Sequence, residues 1–323
     1  MILHRPIYVK RLWVGLVCLS MLAQDPVIQT NVHLVLVPVT VTDRKGHSVD
    51  GLRAEDFVVR DEGKAQKIRL DTSDTVLAPV SVVIAVQASG ISAVALGKIQ
   101  KVGAMIQPLI AGERGRAAVI AFDASVTVQQ EFTSDGTKLR TAFETIQPGV
   151  IKKAHLFDAV LEAVKLLETR PESNRRVLFL LSESRDRDSH AKLPEVIERV
   201  QKAGIAVYPI TYSIQKIAWT AHAGNPEDNP RDEDLLAAIT EPARLATRNA
   251  ADALARATGG RHLSFATLNG LEEAIGRAGD EIHSQYLLSF TPSESGEKGL
   301  RKLEVLVPAR SDVVIRARPG YWP

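Results

Sequence analysis

From residue 79 to residue 283 the chain alternates continuous apolar runs with stretches of helical period, and this alternation constrains the fold more than any other feature. Residues 80–86, 117–122, 126–132, 177–181, 205–210 and 262–265 read as strands. Most are apolar at successive positions, the mark of a strand covered on both faces. Residues 93–110, 137–146, 156–167, 194–203, 251–258 and 268–282 read as helices. In the first of these, Leu96, Ile99, Val102, Ile106 and Leu109 recur at spacings of three and four. Gly259 and Gly260 close the fifth as a C-cap signal. Strands separated by such helices form βαβ units. The predicted class is therefore α/β, a doubly wound, mostly parallel six-stranded sheet over 79–283.

The flanks, 27–78 and 284–323, read as β segments. Residues 32–41 carry apolar side chains on both faces, with Pro38 removing a donor and arguing for a bulge or a strand end. Residues 56–61 and 64–70 read as a strand and its return around Glu62-Gly63, and 286–290, 302–307 and 313–317 as three more strands. Neither flank alone has the length to bury a core, so the simplest packing has them meet in one sandwich of roughly 90 residues.

Residues 1–23 carry Arg5, Lys10 and Arg11 and then an apolar run from Leu12 to Ala23, ended by Gln24, Asp25 and Pro26. The run falls short of the ~20 residues that span a bilayer and has the pattern of a signal peptide. A buried terminal strand or helix is the alternative. The expectation is an exported chain, periplasmic or extracellular, with no transmembrane span once the segment is removed. The single cysteine, Cys18, would leave with it, and 37 basic residues would then face 38 acidic ones. Such a chain has no thiol for a disulfide or a zinc site, and its charge is no footprint for nucleic acid.

Seven tracts stand out in order along the chain. Four are Val39-Thr40-Val41-Thr42-Asp43, Leu52-Arg53-Ala54-Glu55-Asp56-Phe57, Pro79-Val80-Ser81-Val82-Val83-Ile84 and Leu156-Phe157-Asp158-Ala159. Ala257-Thr258-Gly259-Gly260-Arg261, Ser284-Gln285-Tyr286-Leu287-Leu288 and the ending Arg316-Ala317-Arg318-Pro319-Gly320-Tyr321 follow. Together they resemble a von Willebrand factor A-type domain, of the group found in secreted acidobacterial proteins. The resemblance implies a metal-ion-dependent adhesion site, in which Asp-x-Ser-x-Ser, a Thr and an Asp hold Mg²⁺ by hard oxygens. In this chain the five positions fall on Gln87, Ser89, Ile91, Ala154 and Glu183, with Ser92 one place beyond Ile91. One hydroxyl of three survives, and one carboxylate of two in a lengthened form. Lys152 and Lys153 are expected to bring positive charge beside Glu183, where an ammonium would repel a cation.

The site therefore reads as degenerate, with no cofactor and at most weak Mg²⁺ or Ca²⁺ binding. Asp186, Asp188 and His190 suggest a metal cluster, but the interleaved Arg185 and Arg187 favour a solvated, mutually paired loop. Asp158 reads either as an acceptor for the first loop or as a helix N-terminal acid. Residues 213–249 read either as a lid contacting a partner, with Trp219 in it, or as a surface excursion. The chain shows no zincin pair, nucleophile elbow, Walker sequence or dinucleotide fingerprint.

The expected function is thus a non-enzymatic binding module for a protein or cell-surface partner. Its contacts would be Ser89, Ser92, Lys152, Lys153, Glu183, Asp186 and Trp219, and its oligomeric state stays open. Metal-dependent adhesion through a weak site, and an assembly subunit working through its β flanks, are the alternatives. Mass spectrometry of the native protein tests export: a mature chain starting near Gln24 is expected, and retention of residues 1–23 overturns it.

Overall fold

The computed structural model describes residues 34–71, 79–106, 109–110, 112, 114–171, 174–212, 249–292 and 299–322. Its centre is a six-stranded sheet of β5 (Val80–Gln87), β6 (Arg116–Phe122), β7 (Val126–Thr133), β8 (Arg175–Ser182), β9 (Ile205–Tyr212) and β10 (Leu263–Phe265), ordered β10-β9-β8-β5-β6-β7. All pairings are parallel except β6 with β7, which closes one edge antiparallel.

Each residue of β5 and β9 is buried, as continuous apolar runs require of strands covered on both faces. Alternation along β5 divides two cores. Val82, Ile84 and Val86 pack with α1 (Ala93–Ile106), α2 (Gly136–Thr145) and α6 (Leu268–Ser284). Val83 and Ala85 pack with α3 (Leu156–Glu168), α4 (Leu193–Lys202) and α5 (Ala250–Thr258). Gly259 ends α5 in the left-handed conformation at φ 76°. A Cβ on Gly260 would lie 2.0 Å from the Val207 carbonyl oxygen, so this tract needs both glycines for different reasons.

The flanks do meet, and they interleave. One sheet is ordered β13-β1-β11-β4 and the other β14-β12-β2-β3. Here β1 is Val35–Asp43, β2 Val58–Asp61, β3 Lys64–Ala65 and β4 Ile68–Asp71. The C-terminal partners are β11 (Tyr286–Phe290), β12 (Arg301–Leu306), β13 (Val313–Arg316) and β14 (Gly320–Tyr321). Val37, Val39, Phe57, Val59, Leu288, Phe290, Leu303 and Tyr321 fill the space between the sheets.

The return read over 64–70 is two strands rather than one. Glu62 and Gly63, both at positive φ, make a tight hairpin that pairs β3 with β2. The chain then leaves for the other sheet, where β4 pairs with β11. Pro38 is accommodated without ending β1. Residues 35–39 pair with β11 along one edge, and β13 covers the other edge only from Thr40 onward. On that second edge Arg318 donates to the Leu36 carbonyl at 2.7 Å. Pro38, two residues on, points its missing donor to the same side.

A buried ion pair anchors the sandwich. Asp61 is fully buried and accepts from Arg301 Nε at 2.9 Å, Arg301 Nη2 at 2.7 Å and the Tyr321 hydroxyl at 3.0 Å. Removing one member of such a group strands the others away from water. Asp61→Ala is expected to cost about 3–5 kcal/mol in urea denaturation. A loss under about 1 kcal/mol would mean that water reaches the guanidinium in its place.

Candidate functional site

The chain runs from β5 through α1 to β6 on one side and later returns to place β8 on the other. The crevice beyond the carboxyl ends of β5 and β8 is therefore the topological switch point, where such sheets bind ligands. Four loops, those after β5, β6 and β8 and the one before α3, meet there and are laced by main-chain hydrogen bonds. The Gly149 amide donates to Ala88 at 2.6 Å and the Gly90 amide to Ile151 at 2.8 Å. Arg187 and Ala154 exchange amide bonds at 3.0 and 3.3 Å, and the His155 amide donates to Asp123 at 2.7 Å. The approach is close enough that a Cβ on Gly90 would stand 2.8 Å from the Gly149 carbonyl oxygen.

Gln87, at the end of β5, organises the floor. Its Oε1 accepts from the Glu183 amide at 2.9 Å, and its Nε2 donates to Ser89 Oγ at 2.9 Å and to Glu183 Oε2 at 3.4 Å. Ser89 and Ser92 share a hydrogen bond at 2.9 Å, and both are fully buried. They belong to the interior of the site and are not presented to a macromolecule. Ile91 lies on the 3-10 turn Gly90–Ser92 between them, and Ala154 is buried. Burial pushes the hydroxyl of neighbouring Tyr212 above its ordinary pKa, so it stays neutral.

The cation beside Glu183 is an arginine, not the lysine expected. Arg187 Nε stands 3.0 Å from Glu183 Oε2, and its Nη2 3.3 Å from Oε1. Lys153 instead pairs with Asp188 at 3.6 Å. The antiparallel bridge between Ala154 and Arg187 explains both, because it sets Lys153 opposite Asp188 and turns Arg187 back toward Glu183. Lys152 is exposed, and so are the apolar Val150 (96%) and Ile151 (47%) before it. Trp219 and residues 213–248 lie outside the described residues.

Asp186 has a structural task in place of the contact foreseen for it. It accepts from the Phe157 amide at 3.2 Å and from Ser189 Oγ at 2.5 Å, and Ser189 Oγ accepts in turn from the Phe157 and Asp158 amides. The loop after β8 thus satisfies the first free amides of α3. Asp158 takes its hydrogen bonds from this same loop and not from the one after β5. Its Oδ1 accepts from the Ala191 amide at 2.9 Å, and its Oδ2 from the His190 amide and ring, each at 3.0 Å. Burial acts to raise its pKa, but the Ala191 and His190 donors outweigh it and hold the carboxyl below its usual value. Sequence reasoning missed Arg187 as a partner of Glu183 and missed His155, whose place just before α3 was the one available signal.

The lacing carries its own prediction. Gly90→Ala, forced against the Gly149 carbonyl, is expected to lower stability by about 1–3 kcal/mol and to speed hydrogen exchange at the Gly149 amide. Unchanged exchange there would show that the loops are held by other contacts.

No family model and no curated protein matches the chain. Among solved structures it is similar to the conserved hypothetical protein BatB from Bacteroides thetaiotaomicron, at 16% identity and TM-score 0.46, covering 63% of this chain and 98% of that one. It is similar to the vWF domain of the type V pili tip protein Mfa5 from Porphyromonas gingivalis at 11% identity and TM-score 0.45, covering 64% and 95%. The SpRpn10 VWA domain matches at 13% identity and TM-score 0.42, covering 62% and 98%. Likenesses of this size carry no argument about activity or partners, and the fold rests on the strand order described above.

Proposed function

We propose that the chain is an exported, non-enzymatic, von Willebrand A-like binding module whose partner is a protein or a cell-surface component, gripped without a bridging metal. The observation that carries this reading is the closed set of interactions among Gln87, Ser89, Glu183 and Arg187. Magnesium asks for an octahedron of hard oxygens. The five adhesion-site positions supply one carboxylate, and Arg187 already holds both of its oxygens. Gln87 directs an NH₂ at Ser89 and Glu183, and Ala154 has no donor atom. A guanidinium ~4 Å from an incoming ion costs about 4 kcal/mol per unit of its charge at an effective dielectric of ~20. These residues do not fit a divalent hard cation.

The same bonds speak against nucleophilic catalysis. Ser89 and Ser92 bond to an amide and to each other rather than to a base that would activate them. What the site offers outward is its rim, where exposed Val150 and Ile151 adjoin Lys152. An apolar pair beside a cation suits an acidic, partly apolar surface. Export is supported by residues 1–23 alone, and among the described residues no helix is long and apolar enough to cross a membrane.

Two measurements test the reading. Calorimetric titration with Mg²⁺ and Ca²⁺ is expected to show no binding at millimolar concentration; binding abolished by Glu183→Ala would restore metal-dependent adhesion. Capture from the producing cell's envelope fraction is expected to enrich a discrete set of components that the Ile151→Ser/Lys152→Glu variant loses. Equal capture by both proteins would move the interface away from this rim.

A further inference from the structure

We propose that His155, Asp158 and His190 form a transition-metal site of the Zn²⁺ class, close to the Gln87–Glu183 cluster in the fold but built from different residues. Asp158 Oδ2 lies 3.0 Å from His190 Nδ1 and 3.4 Å from His155 Nδ1. The donors of all three residues fall within 4.8 Å of one another. In a tetrahedral zinc site with bonds of about 2.0–2.1 Å, neighbouring donor atoms stand about 3.3–3.4 Å apart. Two edges of such a tetrahedron are thus present to within a few tenths of an ångström. The two imidazoles meet edge to face, with centroids 5.4 Å apart and planes at 86°, so they converge on the shared carboxylate without stacking.

The donor set selects the ion. Two imidazoles and one carboxylate suit zinc and its first-row neighbours, whereas Mg²⁺ and Ca²⁺ prefer oxygen. The ligands are also held in advance. His155 is the residue before α3, and Asp158 lies one turn on at i+3, so both share a helix face. The His155 side chain is nine-tenths buried, so packing and not a hydrogen bond at Nε2 holds its ring. The Ala191 and His190 amides fix the Asp158 carboxylate, the kind of outer support that orients metal ligands.

Lys153 and Arg187, the cations on the adjoining strands of the loop bridge, are each paired with their own carboxylates, Asp188 and Glu183. The His190 side chain is 88% exposed, which leaves the ion open to water or to an outside donor at its fourth position. A bound ion would replace the proton shared between the His190 ring and Asp158 and tie the start of α3 to the loop that carries Glu183 and Arg187. This inference is independent of the partner assigned above.

The test uses the full chain without an affinity tag, stripped with chelator and titrated with Zn²⁺ against a chromophoric competitor at pH 7.5. One Zn²⁺ per chain is expected, undisturbed by excess Mg²⁺, and Co²⁺ in its place should give the visible absorption of a tetrahedral site. His190→Ala changes an exposed side chain, and the variant should keep the native circular dichroism. It should weaken binding at least tenfold, about the smallest loss seen when even outer-shell partners are removed. Asp158→Asn should do the same, while His47→Gln, remote from the site, should change nothing. Zn²⁺ should raise the Tm of the parent and not that of His190→Ala. The proposal is overturned if no stoichiometric Zn²⁺ binds, or if His190→Ala binds it as tightly as the parent, which would assign the ion to other histidines.

Discussion

The carboxylate of Glu281 sits where the sandwich meets the α/β sheet. It is 4% exposed on α6 and accepts from Thr40 of β1 at 3.3 Å and from the Tyr208 hydroxyl of β9 at 3.4 Å. Arg316 of β13 holds it as an ion pair, and Arg261 stands 3.7 Å away. A buried carboxylate is tolerated only while its partners remain, so the two halves cannot part without stranding a charge. Gln285 reinforces the seam by donating to Tyr208 at 2.9 Å and to Thr40 at 3.3 Å. Arg318 does so from another side, reaching the carbonyls of Leu36 on β1 and Gln201 on α4. Little solvent reaches that position, and burial pulls the guanidinium pKa down to about 10.

This seam makes the flanks part of the α/β body in place of a tethered appendage. The C-terminal strands enter both sheets of the sandwich, and β12 of one flank pairs with β2 of the other in register from Leu303↔Asp61 to Leu306↔Val58. The sandwich therefore closes only through contacts that span the whole α/β region in sequence. Contacts between residues some 240 positions apart make such closure slow relative to local structure.

At the other level, the switch-point loops were legible in part. The spacing of apolar strands located Gln87 and Glu183 at strand ends, and the structure sets them 2.9 Å apart through the Glu183 amide and the Gln87 oxygen. Ala154 was likewise placed among the loops that meet there. What the spacing could not convey was the Ala154–Arg187 bridge, a long-range main-chain contact. That bridge decides which cation neutralises Glu183 and sends Lys153 to Asp188 instead. The burial of Ser89 and Ser92 is of the same kind. Their hydroxyls look available in a loop sequence and are consumed once Gln87 and its neighbours close over them.

By itself the sequence determined the α/β class, the six strands of the central sheet and the helices between them, because hydrophobic period is a local property that each segment carries alone. Helix ends moved by a residue or two; the last runs on to Ser284 where the pattern predicted an end at Ile282. Tertiary structure decided the rest. It split residues 64–71 between two sheets, since the tight turn at Glu62-Gly63 serves one sheet and Leu70 is needed opposite Leu288 in the other. It also brought His190 to Asp158, 32 positions away, beside His155. No periodicity records such a meeting, because it depends on where a loop lands after the sheet has formed.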